Sequence, residues 1–375
     1  MILIPLAMLA LLGVLLYRRL VRAPHWHSRR TRIIATVAIA AWMAAMLLTF
    51  GVASRLLGDE IGRPLAWFGG FTMGFFWYTL IGLLVLAIAA GVMRLLRREE
   101  TARLRLHRIG VPLVLILAVA ITGGGVVRAL DPQVIAVDQP ISDLPSDLDG
   151  LTIALITDTH IGPIRDDGLA RTVVDRVNAA NPDLVVFSGD LVDGSVEDYG
   201  DLIAPFADFT APLGVYAVTG NHEMYTGTIP GWLQRWEDLG ITVLANDNAS
   251  ITVGETTLHL AGVHDKRGIA PFTPDYDKAL AGIDPDEVTV LLAHQPSQVY
   301  DAQGHGVDLQ LSGHSHGGQV WPFRYLVALN EPVVSGAGVV GGIPLYVSSG
   351  AGTWGPPSRV GADPEIPLLT LRSAP

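Results

Sequence analysis

Four hydrophobic runs crowd the first third of this 375-residue chain, at about Ile2–Tyr17, Ile33–Val52, Ala66–Met93 and Ile109–Val127. A helix needs about 20 apolar residues to cross the hydrocarbon core of a bilayer. The second and fourth runs have that length, the third can span with tilt, and the first is short for it. Any one of them could be the core helix of a soluble domain. Four in succession, with arginine clusters between some of them and few acidic residues, favour the membrane. The first run is not built like a secretory leader, whose positive charge precedes its apolar stretch; here Arg18, Arg19 and Arg22 follow it. The expectation is a transmembrane anchor of about four spanning helices over residues 1–130 and a second domain over 131–375.

Charge separates the same two parts. Residues 1–130 carry 15 Arg, no Lys and 4 acidic residues, whereas the remainder nets −22. Six arginines lie within 18–32 and six within 94–108, while Arg55 and Arg63 share the intervening loop with Asp59 and Glu60. Arginine-rich loops stay in the cytoplasm, so the expected topology is a multi-pass plasma-membrane protein with its large C-terminal part extracytoplasmic. No Asp, Glu, His or Lys sits centrally in a run, which argues for an anchor rather than a transport path. The acidic C-terminal part lacks the cationic footprint that nucleic acid requires. There is no cysteine, so disulfides, thiolate metal sites and cysteine nucleophiles are excluded.

Beyond residue 131 the pattern alternates between strand and helix. Strands are expected at 134–137, 151–157, 184–188, 215–219, 241–245, 250–253, 257–263, 288–293, 308–312, 345–349 and 367–372, and helices at 169–180, 199–209 and 232–239. Strand, helix, strand with tight polar turns is the signal of an α/β domain. Polar residues gather where these strands end. Asp158 and His160 follow the first buried strand, Gly189-Asp190 the next, and Gly220-Asn221-His222-Glu223 the third; His294 and Gly313-His314-Ser315-His316 follow later ones. Ligands of open α/β sheets bind outside the carboxyl ends of the strands. Five turns thus bring metal-capable side chains to one rim.

The order Asp-x-His, Gly-Asp, Gly-Asn-His-Glu, His, Gly-His-x-His resembles the calcineurin-like metallophosphoesterase family, over residues of about 134 to 372. LLAHQP at 291–296, LSGHSHGGQV at 311–320 and YVSSGAGTWGPPSRVGADPEI at 346–366 resemble its membrane-associated bacterial phosphodiesterase branch. The one departure is Thr157 before Asp158, where that branch usually has Ser. The resemblance implies a two-sheet αββα sandwich and a dinuclear metal-dependent phosphodiesterase or phosphatase. It implies that Asp158, His160 and His316 hold one ion, that Asn221, His294 and His314 hold the other, and that Asp190 bridges them. His222 would be the catalytic residue beside the leaving group. The divalent pair implied is manganese first, with Fe, Zn or Co as alternatives. Two cations suit the chemistry, because they neutralise a phosphate ester and activate water against it.

Other residues have two readings. Glu223 is expected to orient its turn rather than react. His264 and Asp265 read as a surface loop near the site, His259 as structural, and His305 as a turn residue. Arg359 is either a phosphate contact or part of a surface salt bridge. Trp321, Phe323, Tyr325 and Leu326, with Val339, Val340 and Ile343 in a glycine-rich loop, either pack as a loop core or meet lipid. The substrate expected is therefore a phosphate ester, with a lipid head group as one candidate, held at the bilayer and not part of a nucleic acid. The competing reading is a membrane sensor or scaffold whose phosphoesterase domain does not turn over.

Overall fold

The computed structural model describes residues 12–25, 28–46 and 58–374. The chain divides into two compact units, Met1–Val127 with Gly355–Ser358, and Arg128–Trp354 with Arg359–Pro375.

The first unit is helical. Among its described residues, two helices rather than four are long and apolar enough to cross a membrane, Glu60–Leu95 and Glu100–Arg128. The helix Glu60–Leu95 begins six residues before the run that announced it. Its polar first turn carries Glu60 and Arg63, so the apolar window starts later than the helix does. The second run is represented by the helix Arg29–Met46, and its remainder, like most of the first run, lies outside the described residues. Leu16, Val21, Ile39, Phe76, Leu83 and Val111 form the unit's apolar cluster, while Leu84, Val85, Ile88, Ile116 and Leu117 are exposed. Such outward apolar side chains suit a hydrocarbon surround.

The second unit is α/β and built on two mixed six-stranded sheets. The strands are β1 Gln133–Ile141, β2 Thr152–Ile156, β3 Leu184–Ser188, β4 Val215–Val218, β5 Thr242–Val243, β6 Asp247–Val253, β7 Thr256–Gly262, β8 Val288–Leu292, β9 Leu309–Ser312, β10 Gly336–Val340, β11 Ile343–Val347 and β12 Glu365–Ser373. One sheet runs β1-β12-β2-β3-β4-β5 and the other β10-β11-β9-β8-β7-β6. Strands β2 to β5 pair in parallel, as do β7, β8, β9 and β11.

Side-chain alternation explains how the sheets stack. Successive residues of a strand point to opposite faces. Ile153 and Leu155 of β2, Leu184 and Val186 of β3, and Val290 and Leu292 of β8 enter the core between the sheets. Ala154, Ile156, Val185 and Phe187 face the other way, onto helices. The helix Asp167–Ala180 buries Ala170, Val173, Val174 and Val177 there, a helical period of three and four. Asp166 caps its start by accepting from the Gly168 amide, and Asn181 ends it in a left-handed conformation. The helix Ile229–Asp238 adds Trp232 and Trp236, both fully buried.

Strand β10 was not expected; its Gly336-Ala-Gly-Val-Val sequence reads as a loop. It pairs antiparallel with β11 through a turn at Gly341-Gly342, at the free edge of its sheet. Val339 is exposed there while Ile343 is buried. Trp321, Phe323, Tyr325 and Leu326 are 41–63% exposed, so they form no packed loop core.

Candidate metal centre

The parallel strands β2, β3 and β4 of one sheet and β8 and β9 of the other end on the same polar region. Backbone bonds fuse the turns that follow them. The Asp158 and His160 amides donate to the carbonyls of Gly189 and Asp190, and the Gly313 amide donates to His294 O. Ser188 Oγ, at the end of β3, donates to Leu311 O of β9 at 3.0 Å and joins the two sheets. Two glycines are needed for this closeness. A Cβ on Gly220 would collide with Asp190, and one on Gly313 with Thr157 and Asp158.

Six of the seven expected ligands fall into two groups, and Asn221 precedes His222, whose amide donates to Asp190 Oδ1 at 2.8 Å. Asp158 Oδ1 lies 3.3 Å from His316 Nε2 and 3.8 Å from His160 Nε2. The two imidazole nitrogens are 3.0 Å apart. Ligands about 2.1 Å from one ion stand roughly 3.0 to 3.4 Å apart in octahedral to tetrahedral geometry, so the two shorter separations fit a shared cation. Asp190, His294 and His314 form a second group. Asp190 Oδ2 lies 3.1 Å from His294 Nε2 and 3.8 Å from His160 Nε2, between the two sets.

The polar atoms show the same fit. Asn221 Oδ1 is buried without a hydrogen-bond partner, and His294 Nε2 meets Asp190 Oδ2 at 3.1 Å; a cation would satisfy both. His294 Nδ1 lies 2.7 Å from Ser188 O, and His160 Nδ1 lies 3.1 Å from Asp193 Oδ1. Those acceptors fix the proton on Nδ1 and leave each Nε2 lone pair facing the centre. Asp158 Oδ2 is occupied by Thr157 Oγ1 at 2.8 Å and the His314 amide at 2.9 Å, so Oδ1 is turned to the centre.

Backbone strain marks the same residues. Asp158, His160, Asp190, His314 and His316 all have φ between 47° and 66°. Such left-handed conformations are costly for side chains other than glycine and cluster at functional sites.

The electrostatics favour cations. Burial alone would raise Asp158, but His316, His160 and His294 hold its carboxyl well below the usual range. Burial also acts against Asp190, and His294, His222 and His160 hold it lower still. Burial pulls His294 down, yet Asp190 and Asp158 overcome it and raise the ring to about 10. Burial and the charge of His294 depress His314 to about 4. Ionised carboxylates that draw protons onto neighbouring imidazoles draw metal ions by the same field.

Asp193 escaped the sequence reading. Its Oδ1 accepts from His160 and is hydrogen-bonded to His222 Nδ1, so one carboxylate orients both rings. The available signal was its position three residues after Asp190. Glu223 orients its turn as expected, accepting from the Gly220, Asp190, Leu191 and Val192 amides at 2.6 to 3.2 Å. Burial, then the charge of Asp190, raises it to about 7.

Two readings are corrected. Arg359 contacts neither solvent nor a carboxylate within ion-pair distance among the described residues. It is fully buried and donates to the carbonyls of His316, Gly350 and Gly352 at 2.7 to 3.0 Å. It therefore holds the His316 turn against the 350–352 loop. His264 and Asp265 are buried rather than on a surface loop. His264 lies 2.9 Å from Thr219 Oγ1, and Asp265 accepts from the Gln295 amide beside His294. His259, by contrast, is structural as expected, paired with Glu287 at 2.6 Å.

Comparison with known proteins gives the chain its relatives. Residues 151–318 match the calcineurin-like phosphoesterase family. A Danio rerio transmembrane protein with metallophosphoesterase domain is 32% identical over 98% of this chain and 88% of its own. An uncharacterized metallophosphoesterase of Campylobacter jejuni is 31% identical over 98% of this chain and 97% of its own. Among solved structures, a dimetal phosphatase from Danio rerio aligns with a TM-score of 0.36 at 14% identity, over 54% of this chain and 88% of its own. The chain thus belongs to the calcineurin-like metallophosphoesterases, hydrolases of phosphoric ester bonds.

Proposed function

We propose that this protein hydrolyses phosphate esters with two divalent ions, one held by Asp158, His160 and His316, the other by Asn221, His294 and His314, with Asp190 bridging them. The observation that carries this is the convergence of ligand atoms in two groups, Asp158 with His160 and His316, and Asp190 with His294 and His314, the atoms of each within 4.8 Å of one another. Manganese is the first candidate, since carboxylate and imidazole donors suit it, with Fe, Zn and Co as alternatives.

When bound, the ions would neutralise the phosphoryl oxygens and acidify the attacking water. The chain's own contribution to bond cleavage is His222. Its Nδ1 is fixed on Asp193, which leaves Nε2 to give a proton to the departing oxygen. Burial lowers the ring's proton affinity, but Asp190 and Asp193 raise it above the usual histidine value; the protonated form suits a general acid. Asp190→Asn should lower turnover at least about 100-fold. Unchanged turnover would overturn the reading and favour a non-catalytic scaffold.

The substrate we assign is a lipid-linked or membrane-proximal phosphate. Only four residues separate the apolar helix ending at Arg128 from β1 at Gln133. Trp321, Phe323, Tyr325, Leu326 and Leu329, just after the His314 turn, are exposed and suited to an interface with lipid. The four hydrophobic runs support four spans over residues 1–130, and the arginine bias supports an extracytoplasmic catalytic domain over 131–375. The full chain in detergent with Mn should turn over phospho- or pyrophospho-lipids faster than soluble nucleotides; the reverse order would end the lipid assignment. A C-terminal reporter that reads out in the cytoplasm would contradict the topology.

A further inference from the structure

The loop that follows β11 is pinned along its whole length, yet it presents a large aromatic side chain to solvent. The Gly350 amide donates to Ser348 Oγ at 3.0 Å. The amides of Ala351 and Gly352 donate to Thr157 O and Asp158 O, and Arg359 donates to the carbonyls of Gly350 and Gly352. Arg165, itself buried, donates to Thr353 Oγ1 at 3.0 and 2.9 Å. Gln319 then takes Trp354 from both sides. Its Oε1 accepts from the Trp354 amide at 3.0 Å, and its Nε2 donates to the Trp354 carbonyl at 2.9 Å. Gln319 is in turn fixed three residues beyond His316 with φ of 43°.

This clamped loop sets the Trp354 ring 5.7 Å from the His222 ring at 75°, with 44% of the residue exposed. Tyr225, 66% exposed, also meets His222, at 5.6 Å and 61°. An exposed indole on a fixed backbone loses little entropy when it binds, which is the usual design of a recognition residue. Its position at His222 assigns the part of the substrate it meets. The residue that protonates the leaving oxygen lies next to whatever that oxygen carries.

We propose that Trp354, with Tyr225, forms the leaving-group subsite and selects phosphate esters whose leaving alcohol carries an apolar body. The proposal rests on the phosphoesterase reading of the same site. Apolar bodies of two kinds share this chemistry, a planar aryl group and an extended acyl or alkyl chain, and the test separates them.

Wild type, Trp354→Ala and Trp354→Phe are compared on ethyl, octyl and phenyl esters, each as the phosphate monoester and the methyl diester, with Mn present. The ratio of kcat/KM for octyl or phenyl over ethyl should fall about tenfold in Trp354→Ala, the fold-change that corresponds to roughly 1.4 kcal/mol. Trp354→Phe should recover part of it. Loss of the phenyl ratio alone assigns a stacking subsite; loss of the octyl ratio alone assigns an aliphatic one. An equal fall on all three esters, or an unchanged ratio, overturns the subsite while leaving the phosphoesterase reading intact. Failure of the metal-loaded wild type to cleave any ester overturns both.

Discussion

Replacing Arg359 with methionine should destabilise the catalytic unit by about 3 kcal/mol. The side chain is fully buried and makes four hydrogen bonds to carbonyls, two to Gly352 and one each to His316 and Gly350. Gly350 O keeps a second donor in the Glu365 amide, and His316 O keeps the Gln319 amide, so Gly352 O loses most. Bonds from a charged donor contribute about 1.5 kcal/mol each at the low end, or about 6 in all. Against this, burial pulls the Arg359 guanidinium down to about 10, a cost of roughly 3 kcal/mol for holding the charge there. Methionine removes both contributions and fills a similar volume, which leaves a net loss of about 3 kcal/mol. For a unit of this size that is a fall in Tm of roughly 6–12 °C, measured by near-UV circular dichroism on the full chain in detergent. A melting point within 2 °C of wild type, or above it, would refute the claim that Arg359 ties the His316 turn to the 350–352 loop.

Asp193→Asn should separate two roles of one carboxylate. Losing its grip on His160 should weaken metal binding about 10- to 100-fold. Losing its grip on His222 should depress kcat by a further 100-fold or more even at saturating metal; full recovery at high metal would leave no role at His222. Burial and the charge of Lys278 hold His264 down to about 4, whereas its unfolded value is about 6.5. The unfolded chain therefore takes the proton first. The stability that the neutral ring supplies is complete above about pH 6.5 and is lost as pH falls toward 4, by at most about 3 kcal/mol. His264→Gln should flatten that part of a Tm-against-pH curve relative to wild type, and parallel curves would show that His264 does not titrate this way.

What the sequence showed depended on how far each signal reached along the chain. Strands β2, β3, β4 and β8 are continuous apolar runs because both faces of each sheet are covered, and such runs are visible locally. The ligands were visible because each follows a strand end in a short motif. Asp193 was not, because the partners that define it, His222 and His160, lie 29 and 33 residues away. Arg359 was misread for a similar reason. Arginine is rarely buried, and here the carbonyls of Gly350 and Gly352 in the nearby loop meet that of His316, 43 residues away, to accept its donors. The left-handed backbone at five ligands also has no local signature, since Asp and His carry no conformational mark as glycine does. Strand β10 failed in the opposite sense: its glycines imitate a loop, and only pairing with β11 makes it a strand.

If Asp158, His160, Asp190, Asn221, His294, His314 and His316 hold two ions that phosphate-ester hydrolysis requires, metal content and turnover must rise and fall together. The most direct measurement is metal content by mass spectrometry alongside turnover, during chelation and reloading of the purified full chain, for wild type, His316→Ala and His294→Ala. Wild type should carry two ions per chain, its turnover should vanish and return with them, and each variant should carry one ion fewer with turnover lost. Full turnover at one ion or none, or two ions retained in both variants, would contradict the two-ion site.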